Sequence, residues 1–201
     1  MHDPKFDPGF GTAYACEPAP GRHTVSSYTY LDLQFLEKKF PRAAKVPFLT
    51  TYKEKYRTDN KGEAQAMDSF YKMLIDGAGA CLFGTQIGGN YPICEWLNAA
   101  AGWENSPEEY LVIGERIEQL RQGFNLREGL NPKKDFRVHP RLSGASPVSG
   151  APTKGITLDV EALTNGFYQA LSWDRETGRP DRERLIQLGL EEVVDVLYKQ
   201  G

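Results

Sequence analysis

The segment Asp76-Gly-Ala-Gly79-Ala-Cys81-Leu-Phe83 sets a carboxylate and a thiol on either side of a glycine-rich bend. An iron-bound thiolate needs backbone N–H donors near its sulfur and neighbours close enough to exclude water, and glycines permit that approach. The carboxylate offers acceptor oxygens that suit the N–H edge of a heterocycle. The same residues also read as an ordinary helix C-cap followed by a small buried cysteine, and spacing alone leaves both readings open. Cys16, Cys81 and Cys94 include no CxxC. They build neither a disulfide framework nor a self-sufficient metal site, so each is a core thiol or one ligand of a site completed by other polypeptide.

The elements that position these residues read as helices. From Glu63, apolar Met67, Phe70, Tyr71, Leu74 and Ile75 recur at three- and four-residue steps, and Asp76-Gly77 ends the run. Pro92 opens a helix with Ile93, Trp96, Leu97 and Ala100, closed by Gly102. Ser106-Pro-Glu-Glu109 is a capping-box start for a helix whose expected inward stripe is Tyr110, Ile113, Ile117, Leu120 and Phe124, ended by Gly129. Asp159 and Asp181 cap further helices, the first turning Leu163 and Phe167 inward, the second Leu185 and Leu188. The tail Glu191 to Lys199 repeats Val194 and Leu197.

Residues 1–60 are loop-rich, with one short helix expected over Tyr30 to Phe40, its stripe Leu33, Leu36 and Phe40, and an exposed connection from Pro47 to Gly62. Asn131 to Pro152 reads as a long Pro/Gly/Ser loop over a neighbour. Strand signals are weak, so the expected fold is all-α: an irregular multi-helix domain over 1–201 with its helical core in 61–201. The three tryptophans, Trp96, Trp103 and Trp173, read as packing residues.

The chain of 201 residues carries 24 Lys and Arg against 27 Asp and Glu, without a basic stripe to hold a phosphate backbone. Nucleic acid is a poor partner for it. No window approaches the ~18 consecutive apolar residues of a membrane span, and the start, MHDPKFDPGFG, lacks a signal-peptide layout. The expectation is a soluble, cytoplasmic protein with no membrane partner.

Several stretches, in order, carry a resemblance: MHDP, GTAYACEPAPGRH ending at His23, the D-x-x-G-x-C-x-F of Asp76 to Phe83, Leu97-Asn-Ala-Ala-Ala-Gly-Trp103, Ile113-Gly-Glu-Arg116, Phe124-Asn-Leu-Arg-Glu-Gly129, Pro152-Thr-Lys-Gly155 and Leu188-Gly-Leu190. Together they resemble the C-terminal region of the tungsten-containing aldehyde ferredoxin oxidoreductases, over nearly the whole chain. The resemblance implies the family's C-terminal helical domains. It implies an active site in which tungsten or molybdenum is held by two pterin dithiolenes beside a 4Fe-4S cluster, with electrons leaving to ferredoxin as an aldehyde becomes a carboxylic acid.

By the same resemblance, Cys81 is the fourth cluster ligand and Asp76 a pterin contact, with Gly79, Ala80 and Leu82 of the signature lining the cofactor. His23 matches the histidine beside the metal, a candidate proton donor whose exchange near neutral pH suits the reaction. His2 and His139 read as polar loop residues, and Cys16 and Cys94 as core thiols. This chain departs from the family pattern at Ala80, where Leu is common, and before His23, where Ala19-Pro20 and Arg22 replace an Arg-Gly pair and a Cys. A short insertion falls between His23 and Asp76, around Lys38 to Arg57.

The family's N-terminal pterin-binding domain and its CxxCxxxC run are absent from this sequence. The missing portion is therefore the expected partner, and the isolated chain is expected to hold no cofactor and to be inactive. The alternative is a non-catalytic helical interaction module that kept the scaffold.

Overall fold

Among the residues described by the computed structural model (2–46, 54–86, 90–150 and 152–198) every regular element is helical, and only an isolated bridge between Trp173 and Pro180 has strand character. The order is α1 (Pro8–Cys16), α2 (Tyr28–Gln34), α3 (Leu36–Lys39), a 3-10 turn (Ala43–Lys45), α4 (Lys61–Gly77), α5 (Leu82–Gln86) and α6 (Ile93–Ala101). There follow α7 (Pro107–Arg127), α8 (Pro132–Asp135), α9 (Pro140–Ser143), α10 (Val160–Ala170), α11 (Arg182–Gln187) and α12 (Glu191–Tyr198). The all-α expectation stands. No described helix is long and apolar enough to cross a membrane.

Helix α4 is the hub, packed on α7 and α10 and flanked by α1, α2 and α5. Two glycine contacts set its neighbours. A Cβ on Gly62 would lie 2.1 Å from the Gly166 carbonyl of α10, and one on Gly114 of α7 would lie 2.0 Å from the Phe70 carbonyl. Backbones meet there with no room for a methyl group. Around these crossings Phe70, Tyr71 and Ile75 are buried with Tyr28, Leu31, Phe40, Tyr110 and Phe167. A second apolar cluster of Leu185, Leu188, Leu190 and Val194 packs with Val112, which ties α11 and α12 to α7.

The caps follow the sequence. Ser106 and Glu109 form the complete capping box of α7, with Pro107 at its first position. Asp159 and Asp181 accept backbone N–H groups from Ala162 and Arg184. Gly129 and Gly189 adopt left-handed φ of 84° and 67° to close α7 and α11.

Four local expectations are corrected. Helix α1 lies in the segment read as loop: Asp7 caps it, Pro8 opens it, and it is buried almost all round, so its residues show no two-faced periodicity. The single helix expected over Tyr30 to Phe40 breaks at Phe35, which sits in the left-handed region at φ 51°, leaving Leu33 exposed while Gln34 is buried on Thr85. Helices α8 and α9 interrupt the loop expected from Asn131, each started by a proline behind a capping Asn131 or His139. Trp96 and Trp103 are half exposed, and only Trp173 is a buried packing residue. Parts of the Pro47 connection, of the glycine-rich segment (87–89) and of the tail lie outside the described residues.

The largest correction concerns α7. Its expected inward stripe holds only at the start: Tyr110 is buried and Ile113 packs half-buried against the core, whereas Ile117 is half-buried and Leu120 and Phe124 are exposed. The buried side is Gly114, Glu115, Glu118, Gln119, Gln122 and Asn125. Most of these polar groups find partners on segments that cross the helix, although Glu118 Oε1 and Gln122 Oε1 have none. Gln119 bonds the Leu171 carbonyl at 3.0 Å and the Trp173 indole at 2.7 Å, Gln122 the Gly178 carbonyl at 2.8 Å, and Asn125 the Pro18 carbonyl at 2.7 Å. Glu115 is bracketed by Arg42 at 2.7 Å and Arg184 at 2.6 Å. Buried polar groups with such partners cost little, and the close contact at Gly114 leaves this side too tight for a branched apolar stripe.

Candidate functional site

Helix α4 ends in a Schellman turn. Gly79 takes φ 67°, the Ala80 N–H donates to the Ile75 carbonyl at 2.9 Å, and the Gly79 N–H to the Asp76 carbonyl at 3.1 Å. The C-cap reading is therefore right about the backbone. It is wrong about the thiol: Cys81, directly after this turn, is exposed, whereas Cys16 and Cys94 are buried. Burial pushes the Cys16 thiol well up and that of Cys94 up to about 11, which makes both poor ligands. A Cβ on Gly84 would sit 3.3 Å from the Tyr91 ring and 3.9 Å from the Cys81 Cβ, so this glycine keeps the chain close beside the thiol.

His23 lies on the loop between α1 and α2, half-buried. The Tyr30 hydroxyl donates to its carbonyl at 3.0 Å. Its ring meets the His2 ring edge-on, with centroids 5.1 Å apart, and His2 stacks on Phe10 at 5.0 Å. The Tyr14 hydroxyl donates to the His2 carbonyl at 3.2 Å. Burial raises both phenols, Tyr30 up to about 12, so they stay protonated donors at neutral pH. Sequence reasoning passed over His2 because only the packing of α1 brings it to His23. His139 stays apart, its Nδ1 accepting the Arg141 N–H at 3.1 Å as the cap of α9.

The two segments meet at Asp76. Its carboxylate pairs with Lys72 one turn back on α4, and its Oδ2 lies 3.6 Å from the Arg22 guanidinium, next to His23. Above this point a polar stripe of α4 holds the rest of the His23 loop. Asp68 accepts the Ser27 N–H at 2.8 Å, Ser69 contacts both Glu17 and Ser26, and Gln65 donates to the Gly9 carbonyl at 3.1 Å.

The donor set decides what these residues can hold. Among the described residues no group of three or more His, Cys, Asp or Glu side chains converges on a metal position. Cys81 fits as one ligand to a cluster whose other ligands come from elsewhere, and does not fit as the core of a complete site. Asp76 keeps 39 % of its side-chain surface, enough for a carboxylate contact, and the space beyond Gly79 is open. Leu82 packs into the core and Ala80 lies half-buried against it, which leaves their backbones as the parts able to face a cofactor.

The family model described as aldehyde ferredoxin oxidoreductase, domains 2 and 3, matches residues 1–190. The chain belongs to the aldehyde ferredoxin oxidoreductase family. A relative from Thermococcus kodakarensis is 32% identical over 191 residues, 95% of this chain and 29% of the relative. One from Pyrococcus abyssi is 41% identical over 121 residues, 60% of this chain and 20% of the relative. Both are named tungsten-containing aldehyde ferredoxin oxidoreductase. The chain thus spans less than a third of the length of the relatives it matches.

Proposed function

We propose that this chain is the C-terminal part of a tungstopterin aldehyde oxidoreductase that oxidises an aldehyde to a carboxylic acid and passes electrons to ferredoxin in the cytoplasm. The observation that carries the reading is the exposed Cys81 thiol, on a fixed turn beside the carboxylate that the His23 loop reaches through Arg22. When bound, the tungsten or molybdenum pterin centre accepts the electrons of the substrate and the 4Fe-4S cluster carries them away.

The work of this chain is narrower. Cys81 supplies one thiolate to the cluster. Asp76, oriented by Lys72 and Arg22, accepts an N–H edge of the pterin, and the backbone of Gly79 to Leu82 lines the cofactor. Oxidation of an aldehyde consumes water and releases protons as well as electrons, and His23 holds or passes one of them at its imidazole. His2 and Tyr30 fix where that imidazole stands. The remaining cluster ligands belong to the rest of the enzyme, so the chain alone is inactive and binds no cofactor.

The outward apolar face of α7 supports a missing partner surface. Ile117, Leu120 and Phe124 line a shallow pocket of about 340 Å³ with Pro18 and Ala19, at the foot of the His23 loop, and Ile117 also borders Gly77 beside Asp76. This apolar face is where we place a contact with the rest of the enzyme. The test is to produce this chain joined to, or together with, the rest of the enzyme and to measure iron and the cluster absorption. Cys81→Ser is expected to remove the cluster spectrum while Cys94→Ser preserves it. An unchanged spectrum in Cys81→Ser rejects the reading.

A further inference from the structure

Glu17, the residue that ends α1, and Glu118 of α7 are both fully buried and within hydrogen-bond reach of each other. Among the described residues one cation faces them. Arg121 Nη1 lies 2.6 Å from Glu118 Oε2 and 3.8 Å from Glu17 Oε2. The other groups around the pair are the Ser26 hydroxyl, 3.3 Å from Glu17 Oε1, the Ser69 hydroxyl on the same oxygen, and the Cys16 thiol of α1. Asp68 of α4 adds a further carboxyl, partly offset by Lys72. Two oxygens lack any hydrogen-bond partner, Glu17 Oε2 and Glu118 Oε1, one on each member of the pair.

We infer that Glu118 holds a proton at neutral pH and donates it to Glu17, and that this bond closes a clasp at the base of the loop carrying Arg22 and His23. Two buried carboxylates against one guanidinium leave an uncompensated negative charge, which is far more costly than a bound proton. A carboxyl of one partner donating to the other removes that charge and gives the unpartnered oxygens a shared hydrogen. Burial and the neighbouring Glu17 push the Glu118 carboxyl well up, against the opposing pull of Arg121. Glu17 begins the loop and receives Ser26 near its end, so Glu118 acts through Glu17 as a positioning residue for the segment that bears His23. This inference rests on the packing of α1, α4 and α7 and stands or falls separately from the cluster chemistry.

Infrared spectroscopy of the folded chain with isotopically labelled glutamate tests it. A protonated glutamate C=O band is expected at neutral pH and is lost in both Glu118→Gln and Glu17→Gln. Its absence from the wild type overturns the proposal, even if a variant fails to fold. A carboxyl whose folded pKa is raised costs stability increasingly as pH rises from its unfolded to its folded value. Glu118→Gln, which keeps a donor and removes the charge, is therefore expected to melt at or above the wild-type temperature at neutral pH, with an advantage that vanishes near the ordinary glutamate pKa. Glu118→Ala is expected to speed amide exchange across Arg22 to Val25, and Glu118→Gln to restore protection. Equal loosening by the two substitutions, or a pH-independent loss of stability in Glu118→Gln, overturns the clasp.

Discussion

Arg22 and Asp76 face each other across the site, Nη2 to Oδ2 at 3.6 Å, joining a loop from the start of the chain to the end of the central helix. Both side chains keep about two-fifths of their surface, so the pair is screened by water and its coupling is expected to stay below about 1 kcal/mol. The second partner of Asp76 is different: Lys72 is 4 % exposed. Asp76→Ala strands that ammonium and is expected to cost about 1–3 kcal/mol, more than Arg22→Ala. A double-mutant cycle in urea measures both, and equal single-mutant costs contradict the assignment.

The three thiols differ in access. Cys81 is expected to react with an alkylating reagent in the native chain, and Cys16 and Cys94 only after unfolding, because two of them are buried with raised thiol pKa. Peptide mapping after a short pulse of reagent reads this directly. Cys81→Ser is expected to change stability by less than about 0.5 kcal/mol.

The helix crossings are expected to reject a single methyl group. Gly62→Ala and Gly114→Ala drive a Cβ into a carbonyl and are expected to cost about 3 kcal/mol or more. Gly150→Ala is the control, with open space around it and an expected change within about 0.5 kcal/mol. Thermal unfolding separates the two classes, and a tolerated alanine at position 114 would show that α4 and α7 pack differently.

Stability is expected to carry a pH signature from Asp32. Burial, then the nearby Asp7 and Glu37, push its carboxyl up to about 6. An unfolded aspartate titrates near ~3.9, so the folded chain keeps a proton that the unfolded chain has lost. The cost to stability grows as pH rises through that window and is complete above about 6. Asp32→Asn is expected to match the wild type below the window and to exceed it above, as read by melting temperature against pH.

Capped, strongly periodic helices were legible in the sequence. Ser106, Asp159 and Asp181 start their helices as their residue types predict, and Gly102 and Gly129 end theirs. Position in the chain was easier to read than orientation. In α7 an apolar stripe was visible, but the burial of its opposite side depends on partners at Pro18, Leu171 and Gly178, brought in by loops that no local pattern reveals. The same reason hid α1, whose residues are buried all round. At the site, the glycine turn before Cys81 follows from local sequence, whereas spacing left the thiol's exposure open and only the fold decides it. The meeting of His2 with His23 and of Arg22 with Asp76 belongs to tertiary packing.

The Schellman turn after α4 has one more consequence. Because the Gly79 and Ala80 amides are already consumed in helix-closing bonds, the position of the Cys81 backbone is a property of the polypeptide and not of any iron it meets. A ligand so preorganised gives up little conformational entropy on coordination. Under the cluster role proposed for Cys81, iron brought in with the rest of the enzyme would meet a sulfur already in place, with no refolding of this turn required.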